Sequence, residues 1–333
     1  MSLSPEEIPA PYDLYDPAAL PYGLDAFLAG LVLSAHPPGA HILDSQSYRP
    51  GYLEFPLRVL VDAQAHTLCG GDKEQVCVLK AGRFIGEAER EAALLPALAR
   101  LGLPVPRLLA GPALHPDYPG AGPFLVISEL PGRPLPWIGA NLEQADLACR
   151  LLFQGVERLH QLTPALRGEA AAALLEEKTL LSELQGIRSR GGPWFDHPLF
   201  STAVEHLVPV LADVRENLVF SNGDYNPLNF LYEGNHLTGW IDFGLACFED
   251  PYVGFAKFII WGDDSYGWGT GVKAGLVEHY LYTHNLSRVE FSPRLALRCL
   301  WHLQREISVS GEADAAYREA VLKVLEEAQE DIS

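Results

Sequence analysis

Ser221-Asn-Gly-Asp-Tyr-Asn-Pro-Leu-Asn229, followed by Ile241-Asp-Phe-Gly244, is where the architecture of this chain first declares itself. Leu218 to Phe220 is a short apolar run that Asn222-Gly223 breaks, so Asp224 falls in a loop. A second run, Asn229 to Tyr232, leads into Glu233-Gly-Asn235, a tight-turn signal, and His236 to Ile241 returns as the partner strand. Partners across a turn centred between Gly234 and Asn235 have numbers that sum to about 469. Asn229 and Asp242 come close to that sum, which sets them nearly opposite at the open end of the hairpin, with Asp224 just upstream. Two carboxylates and an amide therefore converge. All are hard oxygen donors, which suits Mg2+ rather than zinc. Phosphoryl transfer needs such a set: carboxylate and amide oxygens on the metal, and a separate carboxylate beside the attacking hydroxyl. Each residue alone is an ordinary turn former. The combination points to chemistry.

Upstream, Val76-Cys-Val-Leu-Lys80 is an apolar strand that ends in a lysine. A helical pattern follows over Phe84 to Leu101, and Phe84, Ala88, Glu91, Leu95 and Leu98 share one face. Glu91 is thus a carboxylate on an apolar stripe, where ionisation is costly unless a cation pairs with it. Lys80 is the obvious candidate. Pro96 interrupts the stripe and is expected to kink the helix.

Around these signals the chain divides by periodicity. The first 40 residues read as an irregular arm with a short helix near Leu24 to Ser34. Short β-type runs follow at His41 to Ser47, Tyr52 to Asp62, Val76 to Lys80 and Phe124 to Ser128. Beyond Pro131-Gly-Arg-Pro134 the pattern turns helical, over Leu142 to Leu162, roughly Ala170 to Ile187, and several segments after Pro251. A β-rich lobe, a hinge near residue 130 and a mostly helical lobe are expected, with a ligand cleft between them.

Composition agrees and excludes other classes. At roughly 150 residues per domain, 333 residues suit two domains or one two-lobed fold. Hydrophobic residues at 48% supply a sizeable core and exclude a mostly disordered chain. Lys and Arg number 24 against 43 Asp and Glu, and the net charge of −19 argues against nucleic acid or an anionic membrane as partner. No apolar run approaches the length of a membrane-spanning helix. The acidic start, Met1 to Glu7, lacks the basic-then-apolar order of a secretion signal, so a cytoplasmic protein is expected. Five scattered cysteines without a C-x-x-C pair read as reduced, packed thiols.

Taken in order, Val78-Leu-Lys80, Glu89-Arg-Glu91-Ala-Ala-Leu-Leu95, Leu103-Pro-Val-Pro106, Ile127-Ser-Glu-Leu-Pro-Gly132, Leu159-His-Gln161, Asn222-Gly-Asp224 to Asn229, Ile241-Asp-Phe-Gly244 and Asp250-Pro251 carry a family likeness. The chain resembles the aminoglycoside phosphotransferase and choline kinase group, small-molecule kinases with a protein-kinase-like fold. The resemblance implies an α+β, two-lobed fold. Residues 1–130 would form a β-rich nucleotide-binding lobe, and 131–333 a mostly helical lobe with the catalytic loop and acceptor site. It implies ATP, or GTP, as donor, with Mg2+. Lys80 would hold the α- and β-phosphates, steadied by Glu91, and the backbone of Ser128 and Leu130 would meet the nucleobase. Asp224 would orient the attacking hydroxyl or accept its proton, and Asn229 and Asp242 would bind Mg2+.

Three departures from the family pattern accompany the match. The histidine usual two residues before the catalytic aspartate is Asn222, which can hydrogen-bond in its place. The aspartate usual four residues after Asp-Pro is Gly254, so the catalytic loop is expected to lose a brace. The phosphate-covering loop, Gln46 to Gly51, has a single glycine.

In this family the acceptor site is built from the C-terminal lobe. Trp261-Gly-Asp263-Asp264-Ser-Tyr266-Gly-Trp268 sets aromatic faces beside carboxylates, which suits an ammonium or sugar amine, and Glu249 and Asp250 add negative charge. The plainer reading is a Gly-rich surface loop whose aromatics cover the helical core. A small hydroxyl-bearing acceptor is expected: a cationic aminoglycoside, another amino sugar or an amino alcohol. Two other readings stand beside it. Asn222, Gly254 and the poor glycine loop favour a kinase-fold protein that binds nucleotide or another ligand without transfer. A protein kinase ranks lower, because the segment between Phe243 and Pro251 is short for a peptide-binding activation loop.

Overall fold

The computed structural model describes residues 23–48, 55–63, 74–82, 86–118, 120, 122–135, 142–260, 270–309 and 315–332. In the N-terminal lobe, β1 (His41–Ser47), β2 (Leu57–Asp62), β3 (Glu74–Ala81), β4 (Leu108–Leu114) and β5 (Pro123–Ser128) form one antiparallel sheet in the order β1-β2-β3-β5-β4. The central run Phe124-Leu-Val-Ile127 is buried on both faces because a helix covers each. On one side α1 (Ala26–Ser34) sets Leu28 and Val32 into a core with Val59, Leu79, Phe124 and Val126. On the other, Ala88, Leu95 and Leu98 of α2 (Glu87–Arg100) share a core with Leu125 and Ile127. Strand alternation thus sends successive residues of β5 into two different cores. Asp25 fixes the entry of α1: one oxygen accepts from the Leu28 N–H at 2.9 Å, the other meets buried His115 at 2.6 Å.

Two local features of this lobe bear on the reading of the sequence. Helix α2 continues past Pro96, because Leu94, Leu95, Ala97 and Leu98 around it are all buried and that packing outweighs one lost donor. Strand β4 was not legible, since Gly111-Pro112 reads as a breaker; register shifts against β5 absorb the pair.

The chain leaves the sheet at Ser128 and enters the second lobe through β6 (Arg133–Pro134), which pairs with the hairpin β9 (Phe230–Glu233) and β10 (His236–Trp240) in the order β10-β9-β6. A third sheet, β7-β11-β8, joins β7 (Glu176–Lys178), β8 (Val219–Ser221) and β11 (Cys247–Glu249). Helices make up the rest: α3 (Leu142–Gln161), α4 (Thr163–Leu166), α5 (Leu180–Arg190), α6 (Pro198–Asp213), α7 (Val253–Ile260), α8 (Thr270–Thr283), α9 (Arg288–Val309) and α10 (Ala315–Ile332). The helix expected over 170–187 is instead a 3-10 turn, β7 and α5. Pairing of β7 with β11 extends the backbone there, and the Thr179 side chain caps α5 by accepting from the Ser182 N–H at 3.0 Å. The α2 core continues into this lobe through Leu135, Leu151, Phe220, Phe230, Phe255 and Leu300. Among the described residues no helix is long and apolar enough to cross a membrane.

One ion pair ties α9 to the end of β11. Arg294 donates Nε to Asp250 Oδ1 at 2.9 Å and Nη2 to Oδ2 at 2.8 Å, and both side chains are buried. Asp250 also accepts from the Tyr252 N–H at 2.9 Å. Breaking such a pair strands a buried charge. Arg294→Met is expected to cost about 3–5 kcal/mol, measured as a lower urea midpoint with an unchanged slope.

Candidate active site

Lys80 leaves the end of β3 and points under α2. Its Nζ lies 2.6 Å from Glu91 Oε2 and 2.6 Å from Asp242 Oδ1, with Glu87 Oε1 at 3.8 Å. Glu87 and Glu91 are four residues apart, so α2 presents both carboxylates to the same lysine. Burial opposes the ammonium, but Asp242, Glu91 and Glu87 outweigh it and hold Lys80 above the ordinary lysine range. Glu91 is itself pushed up by burial, an effect that the Lys80 charge offsets only in part. Asp242 takes a left-handed backbone (φ 66°), which a short polar side chain tolerates better than a branched one. The next residue, Phe243, is fully buried and stacks on Phe220, so the core anchors the turn that presents Asp242. Arg90 closes the arrangement by donating to the Gly244 carbonyl.

The hairpin places Asn229 as the numbering argument requires, with one refinement. His236 and Leu237 pair with Glu233 and Tyr232, then a bulge shifts the register so that Gly239 and Trp240 face Leu231 and Phe230. The ladder ends with the Ile241 N–H donating to the Asn229 carbonyl at 3.0 Å, and Asp242 follows at once. Across the loop, the Asp224 carbonyl accepts from Asn229 Nδ2 at 3.1 Å and from Asn222 Nδ2 at 2.9 Å. Asn222 also takes the Asp224 N–H at 3.3 Å. Gly223, between them, has φ 80°, and a Cβ there would sit 2.1 Å from the Leu245 carbonyl oxygen. Only glycine fits.

The brace expected to be missing at Gly254 is replaced by an aromatic ring. A Cβ on Gly254 would lie 2.5 Å from the ring of buried Tyr225, so Tyr225 fills that space itself. Its hydroxyl lies 2.9 Å from His160 Nε2 on α3. A second support comes from Lys257 on α7, which ion-pairs with Asp224. Burial pushes this ammonium below the ordinary lysine range, and Asp224 opposes that shift. Lys257 was not singled out from the sequence. Its signal is a lone cation inside Phe255-Ala-Lys-Phe-Ile-Ile260, an otherwise apolar run.

The hinge is also held by a group not anticipated. Glu129 accepts from Tyr48 Oη at 2.8 Å and from Arg58 Nε at 2.9 Å, which ties the end of β1 and the start of β2 to the crossing between lobes. Ser128 spends its N–H on the Arg107 carbonyl and accepts from the Arg107 N–H with its hydroxyl, each at 2.9 Å. Among the acceptor expectations, Asp250 is corrected: its two oxygens serve Arg294 and Tyr252, so it adds no free negative charge to a cleft. Glu249 is half-buried in a cavity of about 20 Å³ with Lys178, Glu183 and Arg298, room for little more than a water. Trp261, Asp263, Asp264 and Trp268 lie outside the described residues, as do residues 49–51 of the expected phosphate-covering loop.

Two outcomes follow from this geometry. Gly223→Ala is expected to destabilise the chain by at least about 1–3 kcal/mol through backbone strain alone, seen in chemical unfolding. Burial, aided by His284, depresses the His160 imidazole from 6.5 to about 3. Between those values the unfolded chain binds the extra proton, so stability rises with pH there. The contribution is present in full above pH 6.5 and is lost as pH falls toward 3. His160→Asn is expected to flatten that part of a stability-versus-pH curve.

Comparison with known proteins gives the same picture. The sequence profile of the phosphotransferase enzyme family (APH) matches residues 72–289. No curated protein matches the chain by sequence. Solved structures share the fold at low identity. A thermostable mutant of aminoglycoside phosphotransferase APH(4)-Ia, in a ternary complex with AMP-PNP and hygromycin B, is 13% identical. It superposes with a TM-score of 0.62 over 93% of this chain and 99% of its own. APH(2")-IIIa with GDP and kanamycin gives 18% identity, a TM-score of 0.58, and coverage of 93% and 100%. LicA in complex with AMP gives 14%, 0.58, and coverage of 91% and 98%. With Lys80 paired to Glu91 and Asp242, Asn229 bonded to the neighbouring Ile241 and to Asp224, and a profile match over more than half its length, this chain belongs to the phosphotransferase enzyme family.

Proposed function

We propose that the chain transfers the terminal phosphoryl group of ATP, or GTP, to a hydroxyl of a small molecule. The observation that carries this reading is Lys80 at 2.6 Å from both Glu91 and Asp242, facing a loop in which Asn229 and Asp224 are one hydrogen bond apart. In this reading Lys80 binds the α- and β-phosphates and Glu91 keeps its ammonium aimed. The backbone of Ser128 and Leu130 meets the nucleobase. Asp224 orients the acceptor hydroxyl and takes its proton as the new oxygen–phosphorus bond forms and the bond to the departing nucleoside diphosphate breaks. Catalysis is then chiefly positioning and charge compensation. The division into a nucleotide lobe over 1–130 and an acceptor-bearing lobe over 131–333 belongs to the same proposal.

The residues present fit Mg2+. Asn229 uses its amide nitrogen on the Asp224 carbonyl, which leaves the amide oxygen as its donor end. Asp242 keeps a half-exposed carboxylate next along the chain from the Ile241 that pairs with Asn229. Among the described residues no three His, Cys, Asp or Glu form a closed metal cage. An ion that retains waters and substrate phosphates needs none. Asn229 and Asp242 would hold the ion, and when bound it would neutralise charge on the transferring phosphate.

For the acceptor, the family and the net charge of −19 support a cationic amino sugar, aminoglycoside or amino alcohol. Hygromycin B and kanamycin in the related structures make aminoglycosides the first class to try. Among the described residues, four buried or half-buried free cysteines are consistent with a reducing, cytoplasmic setting. The test is transfer of label from γ-labelled ATP to kanamycin, hygromycin B, glucosamine and ethanolamine, alongside thermal unfolding with Mg2+–ATP. Nucleotide at 100 times its Kd should add about 2.7 kcal/mol. Asp224→Ala is expected to lower transfer by about 100-fold or more while keeping the thermal shift, and Asp242→Ala to lose both. A wild-type shift with no transfer to any acceptor, water included, would favour a nucleotide-binding protein without transferase activity.

A further inference from the structure

Beneath the loop that carries Asp224 lies a cation that the reading above does not use. Lys257 sits in α7 among Phe255, Ala256, Phe258 and Ile260, all buried. Its side chain is 2% exposed, whereas that of Asp224 is 36% exposed. The asymmetry matters. A purely structural pair buries both partners, as Arg294 and Asp250 do at 6% and 1%. Here the ammonium is inside and the carboxylate opens outward, gripped at Oδ1. The Asp224 carbonyl is meanwhile fixed by Asn222 and Asn229, so main chain and side chain are both held.

Other groups facing Lys257 sharpen the assignment. Arg298 from α9 opposes its charge, and Glu249 from β11 favours it. Neither replaces Asp224, which is the direct ion-pair contact among these three. Gly254, one turn earlier on α7, brings no side chain, and the Tyr225 ring occupies the space it leaves. The catalytic loop therefore rests on α7 through one ring and one charge.

We propose that Lys257 is a positioning residue that holds the Asp224 carboxylate aimed at the acceptor hydroxyl. This rests on the phosphotransferase reading and extends it to a residue outside the family's motif positions. Lys257 acts through Asp224, so its removal should lower turnover while leaving nucleotide affinity alone.

The test combines Lys257→Met, Lys257→Arg, Asp224→Asn and the double variant Asp224→Asn/Lys257→Met in the full chain. Turnover is read as γ-phosphate transfer from Mg2+–ATP to the acceptor found above, or to water. Lys257→Met is expected to lower kcat at least 10-fold with KM for ATP within 2-fold, and Lys257→Arg to recover part of the loss. In the Asp224→Asn background Lys257→Met should lower kcat no further. Unfolding midpoints give an independent readout. Asp224→Asn strands a buried ammonium and should lower the midpoint, and adding Lys257→Met should restore it. An active wild type with Lys257→Met within 2-fold in kcat, or penalties that multiply in the double variant, would overturn this inference and leave the phosphotransferase reading standing. If Lys257→Met does not fold, Lys257→Arg decides: near-wild-type KM with an intermediate kcat supports the role, and unchanged kcat removes it. A wild type that transfers phosphate to nothing overturns both.

Discussion

The structure depends on the half-buried ammonium of Lys80. Lys80 must be neutralised where β3 ends, and three carboxylates from two elements do so: Glu91 and Glu87 from α2, and Asp242 from the end of the hairpin in the second lobe. Removing a charge from water is costly unless opposite charges and hydrogen bonds replace the lost solvation. That requirement fixes the rotation of α2 over the sheet and the approach of the hairpin to the N-terminal lobe. The left-handed backbone at Asp242 is tolerated because this pairing, with Phe243 locked in the core, over-determines it.

A second constraint governs the loop that carries Asp224. Its backbone is tied by two amides, its following residue by a buried ring against α7, and its carboxylate by a lysine on the same helix. The family likeness leads one to expect a weakened loop, since Gly254 supplies no carboxylate. The space is occupied rather than lost. Tyr225 and Gly254 are sterically coupled: any side chain at 254 would collide with the ring. The substitution of one brace by another is a packing exchange, and reading either position alone gives the wrong impression of its effect.

Much of this was legible in the sequence because hairpin and helix periodicity are strong local signals. The turn at Gly234 brings Asn229 beside the Ile241–Asp242 step, and the α2 stripe points Glu91 inward, where Lys80 meets it. What was not legible depends on distant partners. Lys257 looks like an ordinary charge until α7 is laid beneath a loop 33 residues earlier in the chain. Asp250 reads as an available acid until Arg294 is brought to it by α9. Strand β4 hides because its Gly-Pro pair obeys a local rule that pairing with β5 overrides. Glu129 gains its role only when Tyr48 and Arg58 meet it at the lobe crossing.

The most direct test of the central claim is calorimetric titration of Mg2+–ATP into the wild-type chain and into Lys80→Met. If Lys80 is the charge around which the nucleotide cleft is organised, the wild type binds in a saturable, Mg2+-dependent manner and the variant binds at least about 10-fold more weakly, a loss of about 1.4 kcal/mol. Equal affinity in the two proteins, with both folded, would contradict the account, as would the absence of any Mg2+–nucleotide binding by the wild type.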